Sequence, residues 1–438
     1  MSRGSPHMRR FLRRVTSRSL AVALMLALVS VLLLSLMGRG GAPSAPTDAG
    51  PNAVAFLAPG VLGLSQPSSS PLMLVLLSVL CLVMLVAAIQ RVRVAWRRTT
   101  APRRPRPGDG EQLEGAGEEI SSRLAARGWL RLPAADPGDI RLVRNPWGYW
   151  AGVVLHIGLV VIVVSALVVT LTERRAVASL RVGDTVGPGS VFVAQKHGFL
   201  SGPLTLPASL TLDDVRPAFG PSGDLAQITT TLADASTSDL FTVAVNQVLS
   251  WRGMRVYQSQ EFGPAYQLTF ARARAVLGAQ VVEMLVSSPA GSPTFRDVGM
   301  PWGPETLRVR SVVGASGASE VTATVTLRLV QAGKVLGETL LTPGTQAELG
   351  PYTVRLDSVT WWDRLIFVQD TGIPFLFLGF LLTGAAAIVL YAAPVREVYI
   401  ARFADHTELS YRAGGFAGSD EERQRIMRSA ALSEETTA

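Results

Sequence analysis

Four histidines, one cysteine and two short acidic motifs are the material from which this chain could build a chemical site. The lone Cys81 excludes an intramolecular disulfide, a CxxC redox pair and a cysteine-rich zinc site. Asp370, Thr371 and Gly372 spell the triplet of proteases that share a proton between two carboxylates, but that chemistry needs a second carboxylate in the same site. No second copy occurs. A turn entering an apolar helix, with Pro374 in its first turn, accounts for the triplet better. No GxSxG, HExxH, Walker or GxGxxG motif lies in its proper strand and helix setting. An active site of the chain's own is therefore not expected.

The histidines differ in setting. His7 lies in a basic N-terminal arm and His406 in an acidic tail, where both read as solvated, and His197 reads as a turn after Gln195 and Lys196. His156 falls inside the apolar run Ala151 to Leu159, where an imidazole has no water and must find a partner. About seven residues at 1.5 Å each put it roughly 10 Å from the start of the apolar stretch at Tyr149. One reading is a packing hydrogen bond, to Ser165 or to a backbone carbonyl, helped by close approach at Gly152 and Gly158. The other is an axial ligand to haem iron, which neutral imidazole suits. Residue chemistry alone leaves both open. Trp361, Trp362 and Asp363 precede the last apolar run by about ten residues, and aromatic residues so placed usually form an interfacial belt. Trp147, Tyr149 and Trp150 match them where the third run begins. Stacking of Trp361 and Trp362 on haem is the second reading.

Of the whole chain, 48% is hydrophobic and 17% charged, with mean hydropathy +0.30. Four stretches, 19–37, 72–89, 149–171 and 373–393, are long enough to cross about 30 Å of hydrocarbon as helices. The first could be a signal peptide, but its apolar core is long and Gly38 to Gly41 offers no small-x-small cleavage site, so it is expected to remain. Cytoplasmic loops retain positive charge. Residues 1–18 hold six Arg and no acid, 38–71 are neutral, and 90–148 hold twelve Arg against seven acids. Segment 173–371 has sixteen basic and seventeen acidic residues, and the tail 394–438 six Arg against eight acids. Both termini are thus expected in the cytoplasm and the large segment outside. The net +8 is topological, which removes nucleic acid as a partner.

In the second loop, Arg97, Arg98, Arg103, Arg104 and Arg106 among prolines form a basic linker suited to an anionic leaflet. From Gln112 to Leu132 a helical period places Leu113, Ile120, Leu124 and Trp129 near one face, as in a short amphipathic helix on the membrane surface. Residues 172–372 alternate in short runs, Ser209 to Val215, Gln227 to Leu232, Met254 to Gln260, Tyr266 to Phe270, Thr322 to Leu329 and Tyr352 to Val359, between Gly and Pro turns. The expected fold is a membrane α-helical protein of four transmembrane helices with a large extracytoplasmic all-β domain, antiparallel and sandwich-like or made of two small sheets.

Three ordered segments resemble the ResB-like family of cytochrome c biogenesis proteins: NPWGYWAGVVLHIGL from Asn145, LPASLTLDD from Leu206 with VNQVLSWRGMRVYQSQ from Val245, and FVQDTGIPFLFLG from Phe367. The resemblance covers essentially the whole chain. It implies a bacterial cytoplasmic-membrane subunit of system II, without catalysis of its own, in a complex that attaches haem to apocytochrome c. It further implies transient haem shared with a tryptophan-rich multi-span haem-handling partner, His156 as one axial ligand of the haem iron, and separate thiol-reducing proteins. The chain departs from the family where Pro394, Val395 and Arg396 follow the last span and where Thr371 stands between Asp370 and Gly372. The competing reading is a membrane-anchored β domain that binds proteins as a scaffold, without haem. An accessory transporter subunit is disfavoured, because four spans with one ionisable residue form no polar path.

Overall fold

The computed structural model describes residues 18–39, 71–100, 104–113, 117–287, 289–313, 324–403 and 406–414, with 421, 423, 424 and 426 singly. His7 and Arg103 lie outside them. The apolar segments are helical: α1 Arg18–Arg39, α2 Pro71–Thr100, α4 Gly148–Thr172 and α5 Ile373–Ala392, with the shorter α3 Gly117–Ala126 between α2 and α4. Among the described residues, α2, α4 and α5 are the helices long and apolar enough to cross a membrane. The helix α2 outruns the expected 72–89 by three turns. Its arginines at 91, 93, 97 and 98 are spaced by helix-compatible residues, and cations suit the C-terminal end of a helix. The helix stops where Thr99 and Thr100 hydroxyls fold back onto the Trp96 carbonyl, just before Pro102.

Two compact units emerge, residues 1–170 with 371–438, and Leu171–Asp370. In the first, α4 and α5 run antiparallel in close contact through glycines. A Cβ on Gly379 would lie 2.9 Å from the Ile162 nitrogen and 3.0 Å from the Gly158 oxygen, and one on Gly372 would lie 2.8 Å from the Ser165 oxygen. Bare backbones meeting this closely replace the hydrophobic drive that lipid removes.

The second loop and the tail are not separate linkers. They interleave in one antiparallel sheet, in the order Glu111–Leu113, Thr407–Ala413, Arg396–Arg402, Ile140–Arg144, Leu130–Leu132. Alternation along these strands sends Ile140, Leu142, Val398, Ile400 and Leu409 to one face, where Ile120 and Leu124 of α3 and Trp129 complete a core. Of the expected helix only Gly117–Ala126 forms, with Leu113 and Leu130–Leu132 at its two ends in strands, and its apolar face is taken up by protein. The basic linker is corrected too. Arg104 donates to buried Asp139 (3.0 Å) and pairs with Asp136 (2.9 Å), which ties the linker into this small α/β domain.

The unit Leu171–Asp370 is β throughout. Its spine is a ribbon of two long antiparallel strands, Met254–Arg272 and Tyr352–Gln369, paired from Arg255 and Val368 to Ala271 and Thr353. One half of the ribbon, extended by strands Leu249–Trp251, Arg174–Arg181 and Ala194–His197, packs on the sheet of Thr185–Val186, Leu210–Phe219, Leu225–Asp234 and Leu240–Ala244. The other half, with Ala275–Glu283 and Gln346–Leu349, packs on Pro293–Gly299, Thr306–Val312, Val325–Gln331 and Lys334–Leu341. Each sandwich has its own core, around Leu212, Ile228 and Phe367 in the first and Tyr266, Leu327 and Val354 in the second. The runs Met254 to Gln260 and Tyr266 to Phe270 are thus one strand. Gly263 and Pro264 between them do not turn the chain, because they sit just past a register shift between Gln258 and Phe262, and such irregularities tolerate both residues.

Candidate functional site

The helix α4 holds His156 in an otherwise apolar stretch. Its Nδ1 lies 2.7 Å from the carbonyl oxygen of Gly152, one turn earlier. A carbonyl only accepts, so Nδ1 is the donor of this bond. Gly152 has open space where a Cβ would stand, which leaves room for the ring to lie along the helix. Ser165 instead donates to Val161 (2.6 Å), so it is not the partner of His156. Gly158, two residues on, makes the α5 contact. At 100° per residue it lies about 200° around the axis from His156, so the ring is off the α4/α5 seam and half-buried.

Tyr149 shares the face of His156, seven residues and roughly 10 Å along the axis. Its hydroxyl donates to Glu397 (2.9 Å) and belongs to a cluster that sequence reasoning missed. Arg141, 1% exposed, donates through Nε to Glu397 (2.6 Å), through one terminal nitrogen to the Arg98 carbonyl (2.6 Å) and the Tyr149 hydroxyl (3.3 Å), and through the other to the Pro133 carbonyl (3.4 Å). A buried guanidinium persists only when its fork is answered this fully. The cluster joins the end of α2, the sheet of the small domain and the first turn of α4. The signal available in sequence was Arg141 between the apolar Ile140 and Leu142, with Glu397 just after the last apolar helix. Trp150 meets Trp96 edge to face at 6.4 Å and Trp147 is exposed, while Tyr149 serves the cluster.

Trp361, Trp362 and Asp363 are placed otherwise than expected. They lie in the strand Tyr352–Gln369, inside the β unit, and all three are buried. Trp361 stacks on Phe262 with centroids 6.2 Å apart. Trp362 donates through Nε1 to the Met284 carbonyl (2.9 Å), which comes that close because its neighbour Gly263 has no side chain: a Cβ there would lie 3.0 Å from the Met284 carbonyl carbon. The Asp363 carboxylate, 0% exposed, accepts from Thr230 (2.7 Å) and Gln258 (2.6 Å). Burial pushes it up to about 6, against those two hydrogen bonds, which pull it down. The belt reading is corrected for these residues, and neither indole offers an open face to a planar ligand. Asp234, buried in the same sandwich, shows the opposite balance. The Ser236 hydroxyl and N–H, Trp251 Nε1 and Arg252 all donate to it, and they hold it well below the usual carboxylate range.

The remaining expected groups are structural. His406 is not solvated: Nε2 contacts Glu408 at 2.8 Å and the ring stacks on Phe403. Glu408 is held down first by the Gly108 N–H and then by His406. His197 is exposed at the end of its strand, with Nδ1 3.1 Å from the Gly198 carbonyl. Asp370 is ion-paired with Arg255, and Gly372 caps α5 with a proline in its first turn, as the turn reading requires. Cys81 is a free thiol in α2. Among the described residues no group of three or more His, Cys, Asp and Glu could hold a metal ion.

Comparison with known proteins adds one finding: the model of the ResB-like family matches residues 60–423. No curated protein matches the chain.

Proposed function

The chain belongs to the ResB-like family, and from that membership we infer that it is a membrane factor of cytochrome c biogenesis, which holds haem in transit and helps present it to apocytochrome c. The observation that carries the reading is the hydrogen bond that holds the His156 ring by Nδ1 to the Gly152 carbonyl. With Nδ1 so committed, Nε2 of a neutral ring would be the lone pair open to haem iron, and the backbone bond would fix the ring as an outer partner fixes other metal-ligating histidines. The rest of the haem site would come from a tryptophan-rich multi-span partner. Trp361 and Trp362 take no part in haem contact and hold the β unit together.

In this reading α1, α2, α4 and α5 are four spans of the bacterial cytoplasmic membrane, and the β unit stands outside. Support comes from the arginine asymmetry. It also comes from the sheet that pairs Ile140–Arg144, before α4, with Arg396–Arg402, after α5. That pairing is what two flanks on one side of a bilayer would make, with the segment between the antiparallel helices on the other. The paired sandwiches offer apocytochrome a long, rigid surface, and separate thiol-reducing proteins keep its cysteines ready, since Cys81 lies within a span.

The test is the visible spectrum of the detergent-purified complex. A Soret band is expected, and His156→Ala should lower the haem content. Unchanged haem occupancy in that variant overturns the ligand assignment. Absence of haem from every preparation, with a protein partner still bound through the β unit, leaves the scaffold reading in its place.

A further inference from the structure

Within the β unit, the turn that follows the strand Ala194–His197 carries two of its most exposed large apolar side chains, Phe199 at 81% and Leu200 at 68%. The turn is firmly held. The Gly198 N–H donates to the Glu173 carbonyl (2.7 Å), the Leu200 N–H to the Leu171 carbonyl (2.9 Å), and the Ser201 hydroxyl to the Glu173 and Gly198 carbonyls (3.2 and 3.1 Å). Leu171 is in the last turn of α4, a helix long and apolar enough to cross a membrane. The backbone bonds therefore fix Phe199 and Leu200 at the level where that helix ends.

Immediately along the sheet, the character of the surface changes. The register pairs Arg174 with His197 and Arg175 with Lys196, so a basic row crosses the two strands just beyond the apolar turn. Apolar tips at a helix end with cations one step further out match the order of a bilayer edge, acyl chains first and phosphates next.

We propose that the turn 198–200 dips into the leaflet at the end of α4, with Phe199 and Leu200 among the outermost acyl segments and Arg175 and Lys196 at the lipid phosphates. The turn is then a second, non-spanning membrane contact of the β unit. This rests on α4 being a span, as proposed above.

The experiment uses the full chain with Cys81→Ala, reconstituted in phosphatidylcholine and phosphatidylglycerol nanodiscs and labelled with bimane at single cysteines. The sites are Phe199→Cys, Leu200→Cys, Val164→Cys in α4 and Val191→Cys. Val191 is 97% exposed and precedes Val193, whose N–H bonds to Val177, about 10 Å up the strand from Arg174. Labels at 199 and 200 should lose most of their fluorescence to lipids carrying a headgroup-proximal nitroxide and little to aqueous iodide, with the opposite result at 191. If 199 and 200 follow 191, or are shielded from both quenchers, while 164 is quenched by lipid, the dip is overturned and the span stands. If 164 is quenched by iodide, the span falls and the dip with it.

Discussion

Helix α4 with its approach and the strand Tyr352–Gln369 hold the chain's most conspicuous polar groups within apolar surroundings, and they treat them oppositely. In the strand, Trp362 and Asp363 are buried with their polar atoms answered by neutral partners, a carbonyl, a hydroxyl and an amide. At the base of α4, Arg141 is buried with its charge answered by Glu397 and by carbonyls. His156 is half-buried and answered through Nδ1, while Trp361 in the strand is buried with no partner for its Nε1. A buried polar group that is fully partnered specifies the fold, whereas a half-partnered one that is not fully enclosed keeps room for a ligand. The contrast teaches that Trp362 and Asp363 are tied into the β unit by hydrogen bonds and Trp361 by enclosure alone, and that Nε2 of His156 is the polar atom left both unanswered and accessible in this comparison.

The largest expected effect lies at Arg141. Arg141→Met keeps the bulk of the side chain but strands Glu397 and the Arg98 and Pro133 carbonyls. Removing one partner of a buried pair costs about 3–5 kcal/mol. In detergent, the variant should lose the thermal transition of the small domain and be cut by protease within 104–144, while the β unit melts as before. Arg141→Met combined with Glu397→Met should recover much of the loss. A single variant as stable as the parent would show that the cluster does not hold the base of α4.

Next in size is a pH effect at Asp363. Its folded pKa, about 6, lies above the ordinary 3.8, so the folded protein binds this proton more tightly than the unfolded chain does. The stability this contributes is complete below the unfolded value and is lost as pH rises through about 6. At 1.36 kcal/mol per unit the loss is on the order of 3 kcal/mol. Asp363→Asn, which cannot ionise, should flatten the decline of β-unit stability between about pH 4 and 6 and raise stability at neutral pH, as read from denaturant midpoints followed by tryptophan fluorescence. A decline of equal slope in the variant would assign the titration to another group.

The long apolar helices were legible because about 20 consecutive apolar residues have few other uses, and the β unit because period-2 runs between turns signal strands. What stayed hidden was non-local. Nothing in the period of Ile140–Arg144 names Arg396–Arg402 as its neighbour, so the small domain read as a linker, a surface helix and a loose tail, and Arg141 and Glu397 were not seen as partners. The Trp361–Asp363 error has a simple geometric cause. Ten residues before a span is near the bilayer only if the chain is compact there. In a strand rising about 3.3 Å per residue, ten residues carry the chain roughly 30 Å away. His156 was legible as a residue that must find a partner, but the choice between Ser165 and a carbonyl needed the structure.

The smallest effect separates two adjacent indoles. Trp362 Nε1 donates to the Met284 carbonyl, whereas Trp361 Nε1 is buried without a hydrogen-bond partner. Both are buried, so substitution by Phe leaves a comparable void in each case. Trp362→Phe also strands a buried carbonyl, which adds about 1–3 kcal/mol. Trp361→Phe instead removes an unanswered donor, and that gain offsets part of its packing loss. The two variants should therefore differ by about 1–2 kcal/mol in β-unit stability, with Trp362→Phe the weaker. Denaturant midpoints at fixed pH would measure the difference directly. Equal losses would mean that packing alone sets the worth of this pair. Haem content unchanged in both variants, alongside its fall in His156→Ala, would keep the strand on the architectural side; a drop in either indole variant at full stability would move it to the other.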